Sequence, residues 1–271
     1  MKKSESEYRK DIIEVCKRIY NQGWVAANDG NVSIKLGEDV YLCTPTGMSK
    51  GYLTTDQLVK VDGSGNKLEG EFNPSSEIKM HIDVYKNRPD VQSVVHAHPA
   101  TATGFACAGM ALDECIIPEV VISLGSIPLA KYGTPSTEEI PQSIRKYLPN
   151  HSVFLLENHG ALSIGSDVYQ AYYRMESMEL FAKIYLVAKQ LGQINLIGEE
   201  NVKKMQQLRK EWGMDEHYAG CRIDSRIIGG DGSSAASPES GPVNNDKITI
   251  STEELVKLVT KIVLNIADRK A

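Results

Sequence analysis

The sequence predicts an α/β domain over residues 1–225, followed by a flexible linker over 226–249 and an amphipathic helix over 250–271. Three observations carry this. Helical and strand-like apolar periodicities interleave through the first segment, as they do in a single α/β unit. At residues 229–245 (GGDGSSAASPESGPVNN) the composition shifts to Gly, Ser, Pro and Ala without periodicity, which is linker chemistry. Beyond that stretch an apolar stripe of helical period returns.

The elements follow in order. Ile12, Ile13, Cys16, Ile19 and Tyr20 recur at helical spacing and predict a helix over 6–21. A Gly/Asn-rich stretch at 28–31 precedes short strands at 32–36 and 40–43. A helix is expected over 75–86, started by Asn73-Pro74-Ser75 and broken by Arg88-Pro89-Asp90. Residues 91–98 read as a strand closed by Pro99, and 153–156 and 161–164 as paired strands around the turn Glu157-Asn158-His159-Gly160. Helices are expected over 167–190 and 199–212. In the tail, Ser251 with Glu254 matches a capping box and Ile250 with Leu255 a hydrophobic staple. Its stripe is Leu255, Leu258, Val259, Ile262 and Ile266, widened by Val256 and Val263, opposite Glu254, Lys257, Lys261 and Asp268.

Bulk properties exclude several classes. Of 271 residues, 41% are hydrophobic and 24% charged, the balance of an ordinary soluble globular protein. A net charge of −5 gives no electrostatic reason to expect nucleic acid or an anionic membrane as partner. The start lacks the apolar run of a signal peptide, and no stretch reaches the roughly 18 apolar residues of a membrane span. Five scattered cysteines (Cys16, Cys43, Cys107, Cys115, Cys221) without a CxxC pair argue against a disulfide framework and a Cys-rich metal site. The expected setting is a reducing cytoplasm.

His96 and His98 stand two apart on a strand, so both project from one face, and His159 sits in a turn at a sheet end. Three neutral imidazoles with an open fourth position make a catalytic metal set, although His-x-His alone has no special meaning. Glu77 follows Ser75-Ser76 at a helix start, where backbone N–H groups and hydroxyls favour an anion; the plainer reading is a helix cap. Gly30-Asn31 and Thr46-Gly47 are small polar loop residues able to complete an anion cradle, and each is also an ordinary turn. His81, one turn after Glu77, is either supporting or simply packed; His151 is expected on an exposed loop, and His217 has no assigned role.

Together, Gly30-Asn31-Val32-Ser33, Thr44-Pro45-Thr46-Gly47, Pro74-Ser75-Ser76-Glu77, Val94-Val95-His96-Ala97-His98 and Asn158-His159-Gly160-Ala161-Leu162 resemble the class II aldolase/adducin family. They occur in family order across residues 6–215. The resemblance implies a three-layer α/β/α fold with a mainly antiparallel sheet and a C4 homotetramer. It further implies Zn²⁺ on His96, His98 and His159, with Glu77 as catalytic acid/base that leans on the metal without substrate. Gly30, Asn31, Thr46, Gly47, Ser75 and Ser76 match phosphate-binding positions. The implied reaction is retro-aldol cleavage of L-fuculose 1-phosphate or L-rhamnulose 1-phosphate to dihydroxyacetone phosphate and lactaldehyde. Where the family's aldolases carry proton-transferring tyrosines, this chain has Ile117-Pro118-Glu119-Val120 and, near the second position, Trp212, with Tyr218 close by but out of alignment. Alternatives on the same site are a methylthioribulose-1-phosphate dehydratase or a pentulose-5-phosphate 4-epimerase, the latter disfavoured because it carries Asp where Glu77 stands. A non-catalytic, adducin-like interaction module predicts a degraded histidine triad, and all three histidines are present. The linker and terminal helix resemble the encapsulation peptides of bacterial microcompartments, which implies shell proteins as partners and the compartment lumen as location. Packing of the helix on its own oligomer is the alternative. A membrane is disfavoured, because the helix's polar face mixes acids and bases.

Overall fold

Eight short strands form one sheet: β1 (Asn31–Lys35), β2 (Val40–Cys43), β3 (Val59–Asp62), β4 (Lys67–Glu69), β5 (Ser93–Ala97), β6 (Leu129–Ala130), β7 (Val153–Leu156) and β8 (Gly160–Gly165). Their spatial order is β4-β3-β2-β1-β5-β8-β7-β6, antiparallel throughout except for the β6–β7 pair. This computed structural model describes residues 3–214, 217–223 and 226–228. The predicted linker beyond 228 and the terminal helix, with Leu255, Leu258, Val259, Ile262 and Ile266, lie outside the described residues.

The central strands carry apolar residues on both faces because both faces are covered. Val95, Ala97, Ala161 and Leu155 pack with α1 (Glu5–Asn21), α3 (Ala100–Cys107) and α6 (Val168–Gln190) through Ile12, Ile19, Phe105, Met175 and Phe181. Their strand neighbours Val94, Leu162, Ile164 and Phe154 pack on the other side with Ile82 and Tyr85 of α2 (Ile78–Asn87) and Ile144 of α5 (Glu139–Arg145). The result is the expected α/β/α sandwich. Ser4 and Glu7 close a capping box on α1, and Asp167 caps α6 by accepting from the Tyr169 and Gln170 amides.

Helix α2 begins at Ile78, not at the expected residue 75. The Ser75 amide donates to the Thr44 carbonyl and the Thr46 amide to the Asn73 carbonyl, so this segment is tied to a neighbouring loop before the helix can start.

A second correction concerns the cysteines. Cys115 and Cys221, 106 residues apart, form a disulfide. Spacing along the chain does not reveal the pair, because tertiary contacts create it. Cys221 opens β9 (Cys221–Ile223), which pairs with β10 (Arg226–Ile228). The Cys115 amide donates to the Arg222 carbonyl and the Arg222 amide to the Asp113 carbonyl, drawing the two segments together beside α4 (Pro118–Ser123) and α7 (Glu199–Glu211). Cys16 and Cys43 are buried free thiols, and Cys107 is exposed.

His151 is also not the exposed residue expected. It is half-buried, its Nδ1–H donates to the Tyr147 carbonyl (3.0 Å), and its Nε2 accepts from the Ser126 hydroxyl (3.2 Å). Burial pushes its pKa down to about 4, so the unfolded chain binds this proton first. Stability therefore falls as pH drops from about 6.5 towards about 4 and then levels, by up to about 3 kcal/mol for this group. Thermal melts of His151→Gln across that window are expected to show a shallower decline than the parent.

Candidate active site

β5 pairs with β1 so that His96 lies opposite Asn31, and with β8 so that His96 lies opposite Leu162. His98 follows the end of β5, where its amide donates to the Trp24 carbonyl. The β7–β8 connection is tight. Asn158 takes a positive φ of 53°, a conformation Asn tolerates, and the His159 amide closes the turn on the Leu156 carbonyl. The three predicted histidines are thereby brought together, with ring centroids 5.1 Å (His96–His98), 4.7 Å (His96–His159) and 5.4 Å (His98–His159) apart. One potential ligand atom from each lies within 4.8 Å of the others.

The hydrogen bonds around the rings set their chemistry. His96 is fully buried, and its Nδ1–H donates to the Ala161 carbonyl at 2.9 Å, leaving a lone pair on Nε2. That Nε2, His98 Nε2 and His159 Nδ1 are buried and have no hydrogen-bond partner. His98 Nδ1 faces the Asp29 carboxylate at 3.7 Å, the kind of support that orients a metal-ligating imidazole. Burial pushes the His96 pKa down to about 3, against the opposing field of Glu77, and burial also lowers that of His159. Converging imidazoles whose buried nitrogens lack a hydrogen-bond partner are what a metal requires, so the residues fit one.

Glu77 sits at the helix-start position of α2 without capping it. Its carboxylate instead accepts from Asn31 Nδ2 at 2.8 Å and approaches His96 Nε2 (3.4 Å) and His159 Nε2 (3.3 Å). Giving up a side-chain cap costs a helix about 1 kcal/mol, a sacrifice typical of a functional position. Burial alone would raise the Glu77 pKa; His96, His159 and the Asn31 amide outweigh it and hold the carboxyl below its usual range.

A cavity of about 200 Å³ opens beside these groups, and Gly30, Asn31, Thr46, Ser75 and Ser76 line it. Gly47, at φ 72°, lies just outside the lining. The two anion-loop candidates are stitched together by the bonds that delay α2, which use the Thr46 and Ser75 amides internally. At those two positions the hydroxyls, not the backbone, remain for a ligand. Gly30 is required here: at φ 70°, a Cβ would stand 2.5 Å from Val25 and 2.9 Å from the His96 carbonyl. A Cβ on Gly160 would run into the His98 ring and stand 2.8 Å from the Ala97 carbonyl. Gly160→Ala is therefore expected to displace His98 and weaken metal binding at least roughly 10–100-fold, as other disturbed metal-site supports do; an unchanged metal titration would contradict this.

Sequence reasoning passed over two charged residues of this site. Asp29 belongs to the cavity wall and faces His98, and Lys50 lines the same cavity while almost wholly buried. His81 proves to be packed: 1% exposed, with Nδ1 2.7 Å from the Ser33 hydroxyl, which also pairs with the Tyr85 hydroxyl at 2.7 Å. His217 Nδ1 bonds the Pro149 carbonyl. Tyr218 is buried with its hydroxyl donating to the Val121 carbonyl, and Trp212 is 62% exposed.

Among the described residues, no helix is long and apolar enough to cross a membrane. An L-fuculose phosphate aldolase of Methanocaldococcus jannaschii is 31% identical over 179 residues, 66% of this chain and 96% of that protein. A 3-oxo-tetronate 4-phosphate decarboxylase of Escherichia coli K12 is 31% identical over 190 residues, 68% of this chain and 89% of that protein. Two solved structures share the fold at 28% identity, each covering 75% of this chain. One is an L-fuculose 1-phosphate aldolase (TM-score 0.70, 96% of that chain) and the other is YgbL of Klebsiella pneumoniae, titled a putative aldolase/epimerase/decarboxylase (TM-score 0.69, 99% of that chain). The family model for the class II aldolase and adducin N-terminal domain matches residues 10–186, and with the convergent histidines and Glu77 in place the chain belongs to that family as a metal-dependent aldolase/lyase.

Proposed function

We propose that the protein binds Zn²⁺ through His96, His98 and His159 and cleaves L-fuculose 1-phosphate or L-rhamnulose 1-phosphate to dihydroxyacetone phosphate and lactaldehyde. The observation that carries this reading is the Glu77 carboxylate, poised on two of the three histidines at the wall of a hydroxyl-lined cavity. When bound, the metal supplies Lewis acidity towards the substrate carbonyl as the carbon–carbon bond breaks. Ser75, Ser76, Thr46 and Asn31, with Gly30 and Gly47 giving the backbone room, hold the phosphate. Asn31 also orients Glu77 through its 2.8 Å bond. Glu77 exchanges the proton at the carbon left electron-rich by cleavage, as a positioned carboxyl does in general acid–base catalysis.

One observation favours a second reading. Retro-aldol cleavage must remove the proton of the C4 hydroxyl, and Ile117-Pro118-Glu119-Val120 supplies no tyrosine for it. Decarboxylation of a 3-oxo-tetronate 4-phosphate needs no such base, because the bonding pair moves to the carbonyl as carbon dioxide departs. Zinc-loaded protein should be offered all three substrates, with triose phosphate and carbon dioxide measured separately. Triose phosphate from a deoxyketose phosphate supports the first reading. Carbon dioxide with an equal amount of triose phosphate from the 3-oxo-tetronate 4-phosphate, and no product from the deoxyketose phosphates, supports the second; no product from any of the three contradicts both.

The proposal includes a homotetramer and, from the sequence of the tail, attachment to microcompartment shell proteins. Deleting residues 229–271 is expected to leave turnover intact and to abolish co-purification with shell proteins. Loss of the tetramer instead would mean that the tail packs on its own oligomer.

A further inference from the structure

Lys50 is 1% exposed, and its Nζ donates to the carbonyls of Asn28 and Met48, both at 2.8 Å. An ammonium carries three N–H donors, so two are spent on neutral acceptors and one is left. Among the described residues Lys50 forms no ion pair. Burial of the ammonium is costly, and the fields of Asp29 and Glu77 offset only part of that cost because neither forms a direct ion pair with it.

Its position suggests the partner. Lys50 lines the cavity that also holds Thr46, Ser75 and Ser76, and it is the only cationic side chain among the described residues lining it. The Thr46 and Ser75 amides are already engaged, so a phosphate seated there meets hydroxyls but little positive charge from the backbone at those positions. On the metal side the cavity carries Asp29 and Glu77, both repulsive to an anion. The cavity is thus bipolar, with one buried cation to set against two carboxylates and a metal site.

We propose that Lys50 is a binding and specificity-determining residue whose remaining N–H and charge take the substrate's phosphate, selecting dianionic phosphate esters over uncharged sugars. This rests on the phosphate end assigned under Proposed function. The carbonyls of Asn28 and Met48 then act as a fixed mount that aims the ammonium, holding the loops on either side of the cavity in register. The competing role is purely structural, with Lys50 stapling those two carbonyls and touching no ligand.

Two measurements separate these roles. Inorganic phosphate is titrated calorimetrically into zinc-loaded wild-type protein and Lys50→Met, and wild-type crystals are grown with zinc and phosphate. The expected results are a loss of affinity of about 10–100-fold in the variant, the range of a charge-assisted hydrogen bond, and a phosphate oxygen about 3 Å from Nζ. Equal affinities, or a phosphate bound away from Nζ, overturn the inference while leaving the phosphate reading standing. Wild-type protein that takes up zinc but no phosphate overturns the phosphate reading itself, and this inference with it. If Lys50→Met does not fold, the wild-type crystal decides.

Discussion

Glu77→Gln is expected to lower kcat by roughly 10²–10⁴-fold, the contribution typical of a positioned acid–base group, while the protein stays folded and keeps its metal. The substitution preserves shape and the ability to accept the Asn31 amide's hydrogen bond, 2.8 Å in the parent. It removes the carboxyl proposed to exchange the proton. Because Glu77 makes no capping bond to α2, helix stability has little to lose. The histidines remain, so zinc content should stay near the parent level. Steady-state kinetics with parallel metal analysis checks this; a Gln variant with parental kcat would remove Glu77 from the reaction.

His96→Ala is expected to act one step earlier, on the metal. His96 is fully buried between β1 and β8, its tautomer is fixed by the Ala161 carbonyl, and its Nε2 has no hydrogen-bond partner, only the Glu77 carboxylate at 3.4 Å. Alanine leaves two of the three proposed ligands, and metal affinity should fall beyond the roughly 10–100-fold lost when only a supporting residue changes. Activity should fall to background. A ligand that binds only the folded state raises its stability by mass action, so added zinc should raise the parent's Tm and leave the variant's unchanged. An equal zinc-induced shift in both proteins would contradict this.

Much of the site was legible in the sequence because its geometry is local. His96 lies on β5 and His98 one residue past its end, close to the expected strand of residues 91–98, and the β7–β8 turn around His159 is bounded by two apolar runs. Helix α1 was readable from its apolar period, and the observed bounds of α1 and α6 each differ from the expected ones by a residue. What was not legible depends on contacts between distant segments. Lysine is ordinarily a surface residue, so nothing near Lys50 marks it as buried beneath two loops. The start of α2 moved because a backbone bond to Thr44 competes with helix formation at Ser75. Cys115 and Cys221 meet only because β9 runs beside residues 113–115. His151 looked like a loop residue and is one, but Tyr147 and Ser126 draw its ring inward.

The central claim is that His96, His98 and His159 form one metal site under Glu77. Its most direct test is the metal-to-protein ratio of the purified full-length chain, measured by mass spectrometry beside His159→Ala. Close to one zinc per chain is expected in the parent and a large loss in the variant. Parent protein without bound metal, or a variant that retains it in full, would contradict the account.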